Sequence, residues 1–318
     1  MYKLANKIIV GLPYIGRLKL EIETLKSELK KMSMWKPPGH FYSPIPSIAE
    51  IKKDADRIFS EEPLNLNGID INEAGQLENL NEFKLHYAEI PFNEKKTNKY
   101  RYYYDNPYYS YADGITLYCM LRFLRPKKII EVGSGYSSAL MLDVNDQFFN
   151  GQIKFDFIEP YPERLNGLLT KNDHKNVKIY SQRVQDVPRD VFDSLNKGDV
   201  LFIDSSHVSK IGSDVNYLLF DVLPNLKSGV YIHFHDIFYP FEYPRSWVYE
   251  GVAWNEAYAL RAFLQYNDAF KIEFFISYLL KLHRKAVIDA IPLALNSETA
   301  EISLSHDAPG ANIWLRKL

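Results

Sequence analysis

Short apolar runs alternate with segments of helical periodicity from about residue 129 onward. Seven runs rich in β-branched and aromatic residues predict strands at residues 129–132, 153–158, 177–180, 199–204, 229–236, 270–276 and 312–316. Between the earlier runs, apolar residues recur at helical spacing, as at Leu140, Met141 and Val144. Strands that alternate with helices predict an α/β fold with a doubly wound, mostly parallel, seven-stranded sheet.

Residues 1–100 have a different pattern and are predicted to form an N-terminal extension, whereas residues 101–318 form the main domain. Residues 16–32 place leucines and isoleucines among Lys and Glu, which predicts an exposed amphipathic helix. This helix is interpreted either as a pairing surface of a homo-oligomer or as a solvated arm. Its charges of both signs disfavour binding to a membrane surface. Residues 36–48 hold four prolines and are predicted to be extended, either as a packed strap that brings His40 or Tyr42 near a ligand or as a connector.

The composition excludes several classes of partner. The formal net charge is −2 over 318 residues, so no basic field favours nucleic acid. The single cysteine, Cys119, cannot form an internal disulfide, which predicts a cytoplasmic location. The apolar run at residues 8–12 is interrupted by Pro13 and Arg17, so we expect neither a transmembrane helix nor a secretion signal.

The first predicted strand ends in a glycine-rich turn, Gly133-Ser134-Gly135, which precedes a predicted helix. Glycine lets the backbone approach a ligand closely, and the N-terminus of a helix presents free N–H groups. Dinucleotide-binding loops carry a third glycine at the place that Ser138 occupies here. Acidic residues end both of the first two strands, Glu131 within the first and Glu159 after the second. A nucleoside-like ligand with a cationic group fits these acids better than a pyrophosphate does.

Residues 129–138 and 157–162 resemble the first two motifs of class I S-adenosylmethionine-dependent methyltransferases. The resemblance implies that S-adenosylmethionine is bound by Glu131, Gly133, Ser134, Gly135, Tyr136, Ser138, Glu159, Asp186 and Asp204. In that family the glycine loop packs against the methionine part, the acid after the second strand holds the ribose hydroxyls, and Asp186 matches a frequent adenine contact. The resemblance also implies that the last two strands, with no clear helix between them, are antiparallel.

The fourth and fifth strands end in polar residues, which are expected to meet at the ligand edge of the sheet. His207 or His235 is a candidate general base that removes a hydroxyl proton. The alternative is a divalent cation such as Mg²⁺ or Mn²⁺, held by Asp204, His235 and Asp236. It follows a resemblance to metal-dependent small-molecule O-methyltransferases, whose ligands lie six and seven places after the glycine that opens the fifth strand. Both mechanisms use Asp236, and His233 is predicted to be a satisfied core histidine.

Residues 237–254 form an aromatic, proline-stiffened segment after the fifth strand. Tyr239, Tyr243, Arg245 and Trp247 are candidate contacts of a lid or acceptor pocket, and a structural extension is the other interpretation. The predicted function is methylation, directed to oxygen, of a small molecule or a glycan precursor. An NAD(P)-dependent oxidoreductase and a non-catalytic methyltransferase-like scaffold subunit are the alternatives.

Overall fold

The strand that precedes the glycine loop lies near the middle of a seven-stranded sheet in the computed structural model. The strands are β1 Lys128–Val132, β2 Lys154–Ile158, β3 Val177–Tyr180, β4 Val200–Ile203, β5 Tyr231–His235, β6 Phe270–Phe275 and β7 Asn312–Lys317. Their order across the sheet is β3-β2-β1-β4-β5-β7-β6. Strands β1 to β5 are parallel, whereas β7 is antiparallel to both β5 and β6. The predicted fold class is therefore confirmed.

The structure describes residues 13–31, 35–60, 65–296 and 310–318, and the chain divides into two units, Met1–Ser60 and Glu61–Leu318. The first unit contains the helices Pro13–Lys31, Ile48–Lys53 and Ala55–Ile58. His40 and Tyr42 are exposed there, and the run at residues 8–12 lies outside the described residues. The second unit begins well before residue 101, where we predicted the main domain to start.

Residues ahead of position 101 are tied to the edge of the sheet by side-chain hydrogen bonds. Gln76, in the helix Glu73–Tyr87, accepts a bond from the backbone N–H of Phe275, and Asn79 donates to the carbonyl of Glu273. Both bonds satisfy backbone groups of the edge strand β6, which would otherwise be open to pairing with another chain. The helix therefore belongs to the sheet domain by its contacts.

Consecutive residues of β1, β2, β4 and β5 are buried, so both faces of the sheet are covered, and the elements that flank the strands are helices. In the second unit they are Glu73–Tyr87, Tyr111–Leu124, Tyr136–Phe148, Glu163–Leu168, Asp190–Asp193, Asp214–Tyr217, Arg245–Tyr249, Glu256–Leu264, Ile276–Leu282 and Arg284–Ala290. Short 3₁₀ turns lie at Asp173–Lys175, Val184–Asp186, Leu223–Asn225 and Pro292–Leu295, and a π-helical turn lies at Leu218–Val222. None of the helices in the described ranges is both long enough and apolar enough to cross a membrane. The cytoplasmic location stays a prediction.

The last two strands are antiparallel to each other, as expected, but the expectation that no helix lies between them was wrong. The helices Ile276–Leu282 and Arg284–Ala290 lie between β6 and β7, and only β7 runs against the rest of the sheet. Strand β6 passes directly into the first of these helices through buried apolar residues, with no polar break. The parallel strands β1, β2, β4 and β5 all end at one edge, which brings the residues that follow them together.

Candidate active site

Gly133 lies between the ends of two strands and cannot be another residue without strain. Its φ is +80°, and its N–H donates to the carbonyl of Ile158 at 3.0 Å. A Cβ atom at this position would lie 1.7 Å from the carbonyl oxygen of Asp204. The loop therefore follows β1 so closely along the ends of β2 and β4 that only glycine fits.

Glu131 holds the glycine loop from beneath. Its carboxylate is fully buried and accepts hydrogen bonds from the hydroxyls of Ser137, at 2.5 Å, and of Ser138. The Ser138 hydroxyl in turn accepts the N–H of Gly135 at 3.0 Å. Burial raises the pKa of Glu131 to about 8, although the serine hydroxyls act in the opposite direction. Neither Glu131 nor Ser138 lines the cavity, so we assign these two predicted cofactor contacts to the shape of the loop.

Glu159 braces the outer side of the same loop. One carboxylate oxygen accepts the N–H of Ser134 at 3.1 Å, and the other accepts the N–H of Tyr161 at 2.9 Å. The side chain lines the cavity beside the loop. Each oxygen keeps a lone pair, so the carboxylate can also accept bonds from a diol.

A cavity opens at the carboxyl ends of β1, β2, β4 and β5. It is lined by Tyr108, Tyr109, Gly133, Ser134, Gly135, Tyr136, Ser137, Glu159, Arg164, Asp204, Ser205, His235 and Asp236. Tyr108 stacks on Tyr136 at this wall, and the guanidinium of Arg164 lies 3.9 Å from the ring centre of Tyr108. The predicted adenine contact Asp186 does not line the cavity: it lies in a 3₁₀ turn, where it is paired with Arg183.

Asp204 and Asp236 line this cavity, and His207 lies next to them without lining it. The Nε2 atom of His207 lies 3.3 Å from Asp204 Oδ1 and 3.4 Å from Asp236 Oδ2. Ligand atoms of these three residues all lie within 4.8 Å of one another. His207 and Asp236 have φ values of +59° and +55°. Non-glycine residues in this left-handed region are uncommon and gather at functional sites.

Glu256 holds His207 from behind and was not predicted from the sequence. Its Oε2 atom lies 2.8 Å from His207 Nδ1, and the side chain is 1% exposed. The backbone N–H groups of Asn255 and Glu256 also donate to the carbonyl of His207, and the ring of Trp254 packs against the imidazole. The imidazole is thus fixed on the side away from the two aspartates. Nothing local in the sequence pairs these residues, which lie 49 positions apart.

His235 faces the same two aspartates through its Nδ1 atom, whereas His207 faces them through Nε2. Nδ1 lies 3.4 Å from Asp236 and 3.6 Å from Asp204, while Nε2 lies 3.5 Å from Asp113, a second residue that the sequence did not suggest. Asp113 is itself held by the N–H of Ala311 and the amide of Asn312. The predicted residues Asp204, His235 and Asp236 are therefore close together, with His207 on their other side.

The cluster is dominated by negative charge. Burial lowers the pKa of His207, but contacts with Asp204 and Glu256 outweigh burial and raise it to about 10. Burial also lowers the pKa of His235, but the charges of Asp236 and Asp204 outweigh burial and hold that pKa well above its usual range. Burial raises the pKa of Asp204, but the two imidazoles hold it well below its usual range. Four carboxylates surround the two imidazoles, namely those of Asp113, Asp204, Asp236 and Glu256. Even with both imidazoles protonated, the site is net negative and attracts a cation.

His233 lies in the core, as predicted, but it is not satisfied by hydrogen bonds. Its ring stacks on Phe202 at 3.9 Å and meets Trp314 edge to face. Neither ring nitrogen has a hydrogen-bond partner, and burial holds the pKa well below its usual range. The residue is therefore a neutral part of the sheet packing.

The aromatic segment after β5 packs inward. Tyr239, Tyr243 and Trp247 are buried, and the Tyr243 hydroxyl accepts the N–H of Ala257. Arg245 begins the short helix Arg245–Tyr249. None of these four residues lines the cavity described above, so the segment supports the helix that carries Glu256 and fits the structural alternative better than an acceptor pocket.

The sheet order, the glycine loop after β1 and the acid after β2 define a class I methyltransferase domain, the class whose methyl donor is S-adenosylmethionine. A family model described as a methyltransferase domain matches residues 130–237, which span the loop and the ends of β1, β2, β4 and β5. An uncharacterised protein of Archaeoglobus fulgidus is 36% identical over 167 residues, which cover 51% of this chain and 74% of that protein. The chain belongs to the same family as this archaeal protein, and it is a class I S-adenosylmethionine-dependent methyltransferase.

Solved methyltransferase structures are more distant. CmcI with Mg and SAM is 15% identical, with a TM-score of 0.38 over 73% of this chain and 83% of that one. The O-methyltransferase TomG from Streptomyces achromogenes is 12% identical, with a TM-score of 0.36 over 64% of this chain and 82% of that one. These similarities carry no argument about the reaction, which is argued below from this chain's own residues.

Proposed function

We propose that the protein transfers a methyl group from S-adenosylmethionine to a hydroxyl of a small molecule or a glycan precursor, next to a divalent cation held by Asp204, His207 and Asp236. The observation that carries this proposal is the cluster of two carboxylates at the cavity wall with one imidazole beside them. It replaces the predicted ligand His235 with His207, which lies closer to Asp204, at 3.3 Å against 3.6 Å, and equally close to Asp236, at 3.4 Å.

The residues fit a divalent cation by their chemistry. Metal-binding histidines almost always donate the second ring N–H to a carboxylate or carbonyl, which fixes the tautomer and raises ligand basicity. Glu256 occupies that position at His207 Nδ1, so Nε2 is left for the side of the two aspartates. Two carboxylates with one imidazole suit Mn²⁺ or another transition-metal ion better than Mg²⁺, which prefers oxygen ligands alone.

Each group of residues has its own task in the reaction. The backbone of Gly133 to Gly135 and the carboxylate of Glu159 orient the methyl donor along one wall of the cavity. Asp204 and Asp236 present oxygens at the opposite wall, where the acceptor hydroxyl enters. A bound divalent cation would lower the pKa of that hydroxyl. The buried positions of His207 and Glu256 keep water away from the back of the cluster.

A general base is less well supported than a cation. Neighbouring carboxylates raise the pKa values of both His207 and His235, which disfavours the neutral imidazole that a general base requires. A divalent cation, by contrast, competes with the proton for Nε2 of His207 and displaces it on binding. The oxidoreductase alternative also lacks support, since the position of a third loop glycine is occupied by Ser138, whose hydroxyl is engaged by Glu131.

The test measures cation binding and turnover separately. Mn²⁺ binding, followed by electron paramagnetic resonance, is expected in the wild type and to weaken at least tenfold in Asp236→Asn. Asp186→Asn is the matched control, because Asp186 is an exposed acid outside the cavity. Formation of S-adenosylhomocysteine with a panel of phenols, catechols and sugars is expected to require Mn²⁺ or Mg²⁺ and to stop with EDTA. Equal Mn²⁺ binding by both variants, or turnover that resists EDTA, would contradict the proposal.

A further inference from the structure

The helix Pro13–Lys31 carries a stripe of exposed apolar side chains. Leu18, Ile22 and Leu25 are 38%, 48% and 52% exposed. Their spacing of four and then three residues is that of a heptad repeat, and Ile15 and Leu29 continue it in the sequence. These five residues, called the heptad stripe below, occupy the sequence positions that form the seam of a coiled coil.

The identity of the seam residues favours two strands in parallel. Ile15, Ile22 and Leu29 occupy the a positions, and Leu18 and Leu25 occupy the d positions. Two of the three a residues are β-branched, and β-branched residues at a with leucine at d favour parallel dimers over trimers and tetramers. The exposed Leu20 falls at position f, on the opposite side of the helix, so it is not part of the stripe.

The charges beside the stripe point to a second copy of the same chain. The e positions hold Lys19 and Lys26, and the g positions hold Glu21 and Glu28. In a parallel pair, each g position faces the following e position of the other helix, which brings Glu21 of one copy to Lys26 of the other. In an antiparallel pair, g faces g and e faces e, which brings like charges together.

We propose that the heptad stripe joins two copies of this chain through a parallel two-stranded coiled coil. The helix has 19 residues and therefore offers fewer than three full heptads. Coiled coils this short are marginal, so the dimer dissociates on dilution. The heptad stripe belongs to the first unit and the cavity residues belong to the second, so this proposal does not depend on the proposed reaction.

The first experiment compares two leucines of one helix in the full-length protein. Sedimentation velocity over a concentration series is expected to give a dimer for the wild type and for Leu20→Asp, and a monomer throughout for Leu25→Asp. Thermal unfolding and S-adenosylmethionine binding are expected to be alike in all three proteins. A wild type that stays monomeric at the highest concentration, or equal behaviour of the two variants, would overturn the proposal. Binding of the wild type to anionic vesicles, lost in Leu25→Asp, would instead assign the stripe to a membrane surface.

The second experiment tests the partner and the orientation. Glu21→Lys and Lys26→Glu each place like charges across the seam of a parallel homodimer, so each is expected to weaken association. An equal mixture of the two variants restores both attractions and is expected to associate at least tenfold more tightly than either alone. In an antiparallel pair that sets Glu21 opposite Glu28, Glu21→Lys would strengthen association, and that result would reject the parallel arrangement.

Discussion

Replacing Gly133 by alanine tests how the loop is built, because a neighbouring glycine provides the control. The alanine would adopt a left-handed backbone, which costs roughly 1–2 kcal/mol. Its Cβ would lie 1.7 Å from the Asp204 carbonyl, where real contacts essentially never fall below 3.0 Å. The ends of β1 and β4 must therefore separate, which strains the 2.9 Å bond from Asp204 N–H to the Val132 carbonyl. Such overpacking adds about 1–3 kcal/mol.

Gly133→Ala is thus expected to lower the free energy of unfolding by about 2–5 kcal/mol, or roughly 5–15 °C in Tm for a domain of this size. Gly135→Ala is expected to change it by less than about 1 kcal/mol, because its φ is −178° and the nearest atom is the flexible Arg164 Cδ at 3.3 Å. Calorimetry gives Tm, and titration with S-adenosylmethionine gives the affinity, which should fall in Gly133→Ala. Equal stability of the two variants would refute the close approach of loop and strand.

Three other predictions follow from buried groups. Glu256→Gln is expected to weaken Mn²⁺ binding roughly 10- to 100-fold, because His207 loses its carboxylate; an unchanged paramagnetic resonance titration would contradict this. Arg101→Ala is expected to lower the free energy of unfolding by about 3–5 kcal/mol, because two buried carboxylates lose their partner. Arg57→Ala, at a fully exposed pair, is expected to leave Tm nearly unchanged. His233→Phe is expected to preserve or raise Tm, because both ring nitrogens lack hydrogen-bond partners in the core. A large decrease in Tm would contradict this, because it would mean that a ring nitrogen is hydrogen-bonded.

The sheet and the loop were predictable because their signals are local. The β-branched run before Gly133 and the glycine turn lie within a few residues, and strand–helix alternation then decides which ends share an edge. The helices between β6 and β7 were missed for a physical reason. Residues 274–280 are aliphatic or aromatic apart from Ser277, and periodicity cannot separate a buried strand from a buried helix in such a run.

The site was predictable in its acids and less so in its histidines. Asp204 and Asp236 follow strands that the pattern had already placed side by side. The orientation of His207 depends on Glu256, which begins the helix Glu256–Leu264, and no pattern in the sequence links these two residues. Asp113 likewise meets His235 only through the tertiary fold. Asp186 matched a family position, but a turn that pairs it with Arg183 directs it away from the cavity.

Isothermal titration of the wild-type protein with S-adenosylmethionine tests the central claim most directly, since the account depends on a donor site between Gly133 and Glu159. It predicts saturable binding with one site per chain, weakened in Glu159→Ala. A folded protein that gives no binding signal at high micromolar donor would contradict the account.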